Sequence, residues 1–157
     1  MEICHLYISP GHNFVGHHDS EAGNYPTVEV ESIECVAGRG IRGDRFFDYK
    51  EAYKGQVTFF ASEVFAEMEA SLHLEGSAAP DARRNVITHG VDLNTLIDRE
   101  FEVQGVKFLG TEECRPCRWM DHVFKPGALE FLRGHGGLRA RIISDGTLRS
   151  TTTVASA

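Results

Sequence analysis

Apolar residues along the chain come in short runs broken by polar ones, and a single stretch carries a clear helical stripe. Residues 3–8 (Ile-Cys-His-Leu-Tyr-Ile) predict a first strand that Ser9-Pro10-Gly11 ends. Residues 27–36 alternate, with Val28, Val30 and Ser32 against Glu29, Glu31 and Ile33, which predicts one strand wet on one side at its start. Residues 56–60 predict another. Ser62 then offers an N-cap to a helix in which Val64, Phe65, Met68 and Leu72 share one stripe, closed by residues 76–80. Residues 86–88 are a short β-branched strand. Asp92 starts a helical turn to Ile97, and residues 101–109 read as a hairpin turning at Gln104-Gly105. Residues 119–124 and 128–133 predict short helices, and residues 138–143 a half-wet strand. Asp145-Gly146 reads as a hairpin turn into residues 147–149, and residues 151–157 are expected to fray. With seven or eight short strands, one sizeable helix and a few helical turns, the expectation is a β-rich α+β fold with a barrel-like sheet.

Composition narrows this picture. At 157 residues the chain is long enough to bury a real core, and 1–157 is expected to form a single domain. A net charge of -7 argues against nucleic acid or an anionic membrane surface as partner. No apolar run approaches the roughly 20 residues of a membrane span, and Met1-Glu2-Ile3 does not open a signal peptide. Four cysteines, at 4, 35, 114 and 117, do not resemble a secreted disulfide scaffold, so the cytoplasm is the expected compartment.

Chemistry concentrates in Glu112-Glu113-Cys114-Arg115-Pro116-Cys117-Arg118, where two thiols lie three residues apart with arginines beside them. Neighbouring cations help a thiol become the thiolate that attacks sulfur or binds soft metals, whereas Glu112 and Glu113 would oppose this if they faced it. A strand before the pair and a helix after it would place a thiol at a helix N-terminus, which adds anion stabilisation. A structural zinc site would want further paired ligands, and only His122 follows nearby. A thioredoxin-like dithiol has the right spacing but would need a βαβ context near the N-terminus. A single working thiolate fits the residues at least as well. Cys4 and Cys35 lie within predicted strands and read as small packed residues.

Two other segments could serve such a thiol. Gly38-Arg39-Gly40-Ile41-Arg42-Gly43-Asp44-Arg45 contains a G-x-G-x-x-G string, yet no helix is predicted after it, as dinucleotide binding requires. What remains is a loop with backbone donors and spaced arginines, suited to an oxyanion through Arg42 and Arg45. Arg83, Arg84 and Asn85 enter the strand at 86–88 and add donors of the same kind. The loop holding His12, His17, His18, Asp19 and Glu21 could ligate a metal, but it shows no fixed ligand spacing and reads as a solvated loop.

Taken in order, Gly43-Asp44-Arg45, Arg83-Arg84-Asn85-Val86-Ile87-Thr88 with Gly90-Val91-Asp92-Leu93, Gly110-Thr111 through Cys117, and Gly136-Gly137-Leu138-Arg139-Ala140-Arg141 resemble a MOSC domain, the module named after the C-terminal part of molybdenum-cofactor sulfurases. The resemblance implies a β-barrel-like fold and one functional cysteine in the loop after a late strand. By likeness to amidoxime-reducing relatives, Cys117 would ligate molybdenum, and Arg83 and Asn85 would help hold the pterin of the molybdenum cofactor (molybdopterin). Arg42, Arg45 and Arg115 join Arg83 and Asn85 as expected cofactor-binding residues, and Cys114 joins Cys117 as expected catalytic residue. The chain departs from those relatives in having Arg115-Pro116 between its cysteines. The function implied first is that of a small molybdenum-dependent oxidoreductase acting on N-oxygenated compounds. Sulfurase relatives imply instead a carrier with a persulfide on Cys117, and a non-catalytic interaction module is the third possibility. Expected partners are the pterin cofactor or a small-molecule substrate, with a redox or sulfur-donor protein.

Overall fold

The computed structural model describes residues 1–13 and 22–152. Its strands are β1 (Glu2–Ile8), β2 (Val28–Val30), β3 (Ser32–Val36), β4 (Gly40–Ile41), β5 (Val57–Ala61), β6 (Val86–His89), β7 (Glu100–Val103), β8 (Val106–Glu113), β9 (Leu138–Ile142) and β10 (Gly146–Arg149). Helix α1 (Ser62–Leu72) is the long one, and α2 (Arg118–Val123) and α3 (Ala128–Leu132) are short. Seven strands form one sheet in the order β2-β1-β6-β5-β9-β8-β7, and three form a second in the order β10-β3-β4. The larger sheet does not close, because its edges β2 and β7 do not pair. The fold is β-rich α+β as expected, with two sheets where the barrel-like expectation had one.

Burial explains why β5 lies at the centre. All five of its residues are buried, the mark of a strand covered on both faces. Val57, Phe59 and Ala61 face the apolar layer between the two sheets, with Ile3, Leu6, Ile33, Ile41, Phe108 and Leu148. Phe60 points the other way, into a layer formed with Met68, Ile87, Met120, Ala128 and Leu132 under the helices. Strand β5 runs parallel to β6 while every other pair in the sheets is antiparallel. A parallel pair needs a crossover, and α1 supplies it with its Val64, Phe65, Met68 and Leu72 stripe packed on the second layer.

Three local expectations change. Residues 27–36 are two strands, not one: β2 pairs with β1, and after Glu31 the chain crosses so that β3 pairs with β10 in the other sheet. Alternation continues through this crossing, so periodicity could not mark the break. Ser62 is the first residue of α1, not its N-cap, which is the extended Ala61 without a side-chain cap bond. Asp145-Gly146 does not fold β10 back on β9; β10 pairs with β3, and the Asp145 carboxylate accepts from the Ala37 N–H at 2.7 Å. The expected hairpin holds as β7 and β8, and Asp92 caps its turn through the Asn94 N–H.

Strand β8 reaches the loop of interest through a close passage at Gly110. A Cβ there would collide with the Leu96 carbonyl oxygen, and residues 98 and 99 bond the Gly110 carbonyl and N–H at 2.9 Å each. Gly110→Ala is therefore expected to lower stability by about 2 kcal/mol or more, whereas the exposed Gly105→Ala, which meets nothing within 4 Å at a positive φ of 81°, should cost about 1 kcal/mol from strain alone. Urea unfolding of the two variants checks the ordering, and equal costs would refute it.

Candidate functional site

Strand β8 runs on through Glu113, four residues past its expected end, and delivers Cys114 to the mouth of the sheet. One backbone bond and one guanidinium then fix the loop. The Cys114 N–H donates to the Gly137 carbonyl at 2.8 Å. The buried Arg84 side chain donates to the Cys114 carbonyl at 3.1 Å, to the Gly136 carbonyl at 3.0 Å and to the Ala82 carbonyl at 2.8 Å. Gly136 and Gly137 are glycines for space: a Cβ on the first would strike the Cys114 carbonyl and Pro116, and on the second the Phe59 carbonyl. Cys117 follows as the extended N-cap of α2, with no side-chain cap bond.

This loop forms one wall of an open cavity of about 220 Å³. Cys114 lies on its inner side, 5% exposed, while Cys117 is exposed at the rim. Arg45, Arg83, Arg84, Arg115 and Arg139 line it, and among the described residues no carboxylate does. His12, Phe46 and Tyr53 form an aromatic wall, with Phe46 and Tyr53 ring centres 5.4 Å apart, and Trp119 and Met120 lie among the other lining residues. The two glutamates beside the thiols are drawn elsewhere. Glu112 accepts from Arg139 at 3.2 Å, and Glu113 accepts from the Gly136 N–H at 3.1 Å.

The charges are not equally available to a ligand. Arg83, in a left-handed conformation at φ 58°, spends its guanidinium on the Tyr25 carbonyl, the Thr27 hydroxyl, the Ser9 hydroxyl and the Gly11 carbonyl. Burial pushes it down to about 10, with Arg45 adding to the shift and Asp44 opposing it, so it stays charged at neutral pH. Arg45 pairs with the fully buried Asp44 side chain at 3.2 Å and donates to the Arg83 carbonyl at 3.0 Å; burial holds it below the usual arginine range. Arg139 bonds Glu112 and lines the cavity with Cys114. Burial disfavours its charge, but Cys114, Tyr53 and Glu112 outweigh that and hold it above the usual range. Arg115 is exposed, and its side chain makes no hydrogen bond or ion pair among the described residues. It is the donor most free to meet a ligand.

Of the residues singled out in the sequence, Cys114, Cys117, Arg45, Arg83 and Arg115 line this one cavity. Arg42 does not: it lies exposed and pairs with Glu34 at 3.0 Å on the far side of the loop. Asn85 sits beneath the cavity, not in it. Its side-chain oxygen accepts from the Thr58 N–H and hydroxyl at 3.1 Å each, and its amide donates to the Tyr7 carbonyl at 3.2 Å, so it ties β1, β5 and β6 together. The G-x-G-x-x-G string leads into turns with no helix, in keeping with the rejection of a dinucleotide site. Arg84 was read only as one of a run of donors with Arg83 and Asn85, and Arg139 only as part of a half-wet strand and of the segment at 136–141; the aromatic wall was not picked out. Of the histidine-rich loop, His12 lines the cavity, while His17, His18, Asp19 and Glu21 lie outside the described residues.

Among the described residues no three His, Cys, Asp or Glu side chains gather to hold a bare metal ion, and no helix is long and apolar enough to cross a membrane. Held by the described residues alone, a metal would have to arrive with ligands of its own. The cavity does fit such a group: it offers a soft sulfur donor at its rim and cationic walls for an anion.

The profile of the MOSC domain matches residues 42–155. Solved structures of similar fold include the YuaD protein from Bacillus subtilis, at 18% identity and TM-score 0.72 over 95% of this chain and 91% of that one. YiiM from Escherichia coli is 12% identical with TM-score 0.65, over 100% of this chain and 72% of that one. YiiM from Geobacillus stearothermophilus gives 12% and 0.65, over 94% and 70%. No curated protein sequence matches the chain.

Because Asn85 is buried and fully bonded, Asn85→Ala should lower stability by about 2–3 kcal/mol by stranding the partners it leaves. Arg115→Ala should change it by less than about 0.5 kcal/mol. Denaturant unfolding of both checks the division of labour, and an unaltered Asn85→Ala protein would refute it.

Proposed function

The chain belongs to the MOSC domain family, and on that premise we propose that the arginine-lined cavity receives the molybdenum cofactor, with the Cys117 thiolate as the chain's own ligand to the metal. The observation that carries this is the lining itself: five arginines and two thiols, with no carboxylate among the described lining residues. Such walls attract an anion and repel a free cation. At neutral pH the guanidiniums remain charged, so the field does not switch off in the physiological range.

Each residue would act in its own way. Arg115, with its donors uncommitted, would fold over the cofactor's phosphate and hold it by paired, charge-assisted bonds. Arg83 and Arg84 contribute charge and shape more than new bonds, because their donors already hold the surrounding loops. Cys117 caps α2 from an extended conformation and leaves its sulfur exposed, where it can reach the metal. The aromatic wall of Phe46 and Tyr53 would exclude water from one side. When bound, the cofactor supplies two-electron oxidation and reduction at the metal, and reduction of N-oxygenated small molecules is the corresponding activity.

The same exposure of Cys117 also supports sulfur carriage. Cys117 is open to solvent at the cavity rim, where another protein's thiol could reach a persulfide held on it.

Protein made in a host that synthesises the cofactor decides between them. Molybdenum and pterin should co-purify in near-equal amounts, fall at least about tenfold in Cys117→Ser, and fall partly in Arg115→Ala. Metal-free protein that is one sulfur heavier on Cys117, with the sulfur removed by a reductant, would overturn the first proposal and support the carrier.

A further inference from the structure

Cys114 has features that neither proposed role uses. It lines the same cavity as Cys117, yet it is buried while Cys117 is exposed. Its main chain is held on both sides, by the Gly137 carbonyl on its N–H and by Arg84 on its carbonyl. The guanidinium of Arg139 lines the same cavity and places its positive charge near this sulfur. Packing alone asks for none of this, as Cys35 shows: it lies 1% exposed within the apolar layer between the sheets, and burial alone pushes its thiol up to about 12. Cys114 is instead a positioned thiol with a cation beside its sulfur. Cys117 follows it after two residues, lines the same cavity and is exposed where Cys114 is buried.

We propose that Cys114 and Cys117 work as a dithiol that takes sulfur from small anionic persulfides and discharges it as sulfide. This builds on the second role above, a persulfide on Cys117, and adds the residue that empties it. In the first step the Cys117 thiolate attacks the terminal sulfur of a persulfide R–S–SH. The donor's S–S bond breaks, RS⁻ leaves, and Cys117–S–SH remains. In the second, the Cys114 thiolate attacks the inner sulfur on Cys117. The new S–S bond joins the two cysteines, and the terminal sulfur leaves as HS⁻ with its proton. Both cysteines are oxidised to a disulfide as the sulfane sulfur is reduced to sulfide, so no outside oxidant is needed. A dithiol reductant, small molecule or protein, resets the pair.

The layout suits the order of events. An incoming donor meets the exposed Cys117 first, and the arginine walls draw an anionic donor to it. Arg139 can steady negative charge on the Cys114 sulfur as it becomes the nucleophile. Pro116 limits the freedom of the segment joining the two thiols, which lowers the entropic cost of closing a ring between them.

The test uses the full chain, fully reduced and freed of reductant, with glutathione persulfide as the anionic donor. Wild type should release sulfide and end two hydrogens lighter, with a peptide cross-linked between Cys114 and Cys117. Cys114→Ser and Cys114→Ala should keep the added sulfur on Cys117, with sulfide release at least about tenfold slower. Cys117→Ser should neither gain sulfur nor release sulfide above the rate of the donor alone. If Cys117 holds its sulfur stably in wild type, or Cys114→Ser discharges as fast as wild type, the dithiol is refuted while the carrier stands. If wild-type Cys117 takes no sulfur at all, both fall together.

Discussion

One guanidinium decides where the thiols stand. Arg84 ties three carbonyls that belong to three separate stretches of chain: Ala82 ahead of β6, Cys114 after β8, and Gly136 ahead of β9. Each of those carbonyls would otherwise be a buried acceptor seeking a partner, at a cost of about 1–3 kcal/mol apiece. Their satisfaction by a single planar fork holds the thiol loop against the sheet. Close approach there is possible because residues 136 and 137 lack a Cβ. The thiols, the aromatic wall and the remaining arginines are arranged around that junction.

The same economy explains why a cavity with five arginines is not simply a bath of free donors. Arg83 holds the loops of residues 9–11 and 25–27, Arg45 neutralises the buried Asp44, and Arg139 pairs with Glu112. Buried cations persist because each is bonded or paired. What they leave for a ligand is mostly field, with directed bonds available chiefly from Arg115 at the rim. The pocket is therefore preorganised: its charge is in place before any ligand arrives, and little reordering is required on binding.

Much of this was legible in the chain, for reasons that differ from residue to residue. Apolar alternation marked most strands, and the α1 stripe was plain because a helix covering a sheet must be apolar on one face. The thiol loop was visible as chemistry, since each cysteine of Cys-x-x-Cys is followed by an arginine, and the ordered set of short segments resembled the right family. The break at Glu31 was not visible, because both halves alternate and only the identity of the partner strands changes. Arg42 and Arg45 looked equivalent three residues apart, yet the turn sends one to Glu34 and the other to Asp44 and the cavity. Asn85 was read as a ligand contact because an amide beside two arginines suggests recognition. In the fold it serves β1 and β5, which lie far from it in sequence, and local reading cannot see such partners.

The central claim is that Cys117 stands in a positive, anion-attracting cavity, and alkylation rates test it most directly. Iodoacetate carries a negative charge and iodoacetamide does not, while their chemistry at a thiolate is otherwise alike. Relative to free cysteine, Cys117 should favour iodoacetate over iodoacetamide by about tenfold or more at low salt, a preference that shrinks as salt screens the field and shrinks in Arg115→Ala. A Cys117 that shows the same rate ratio as free cysteine, with no dependence on salt, would contradict the account.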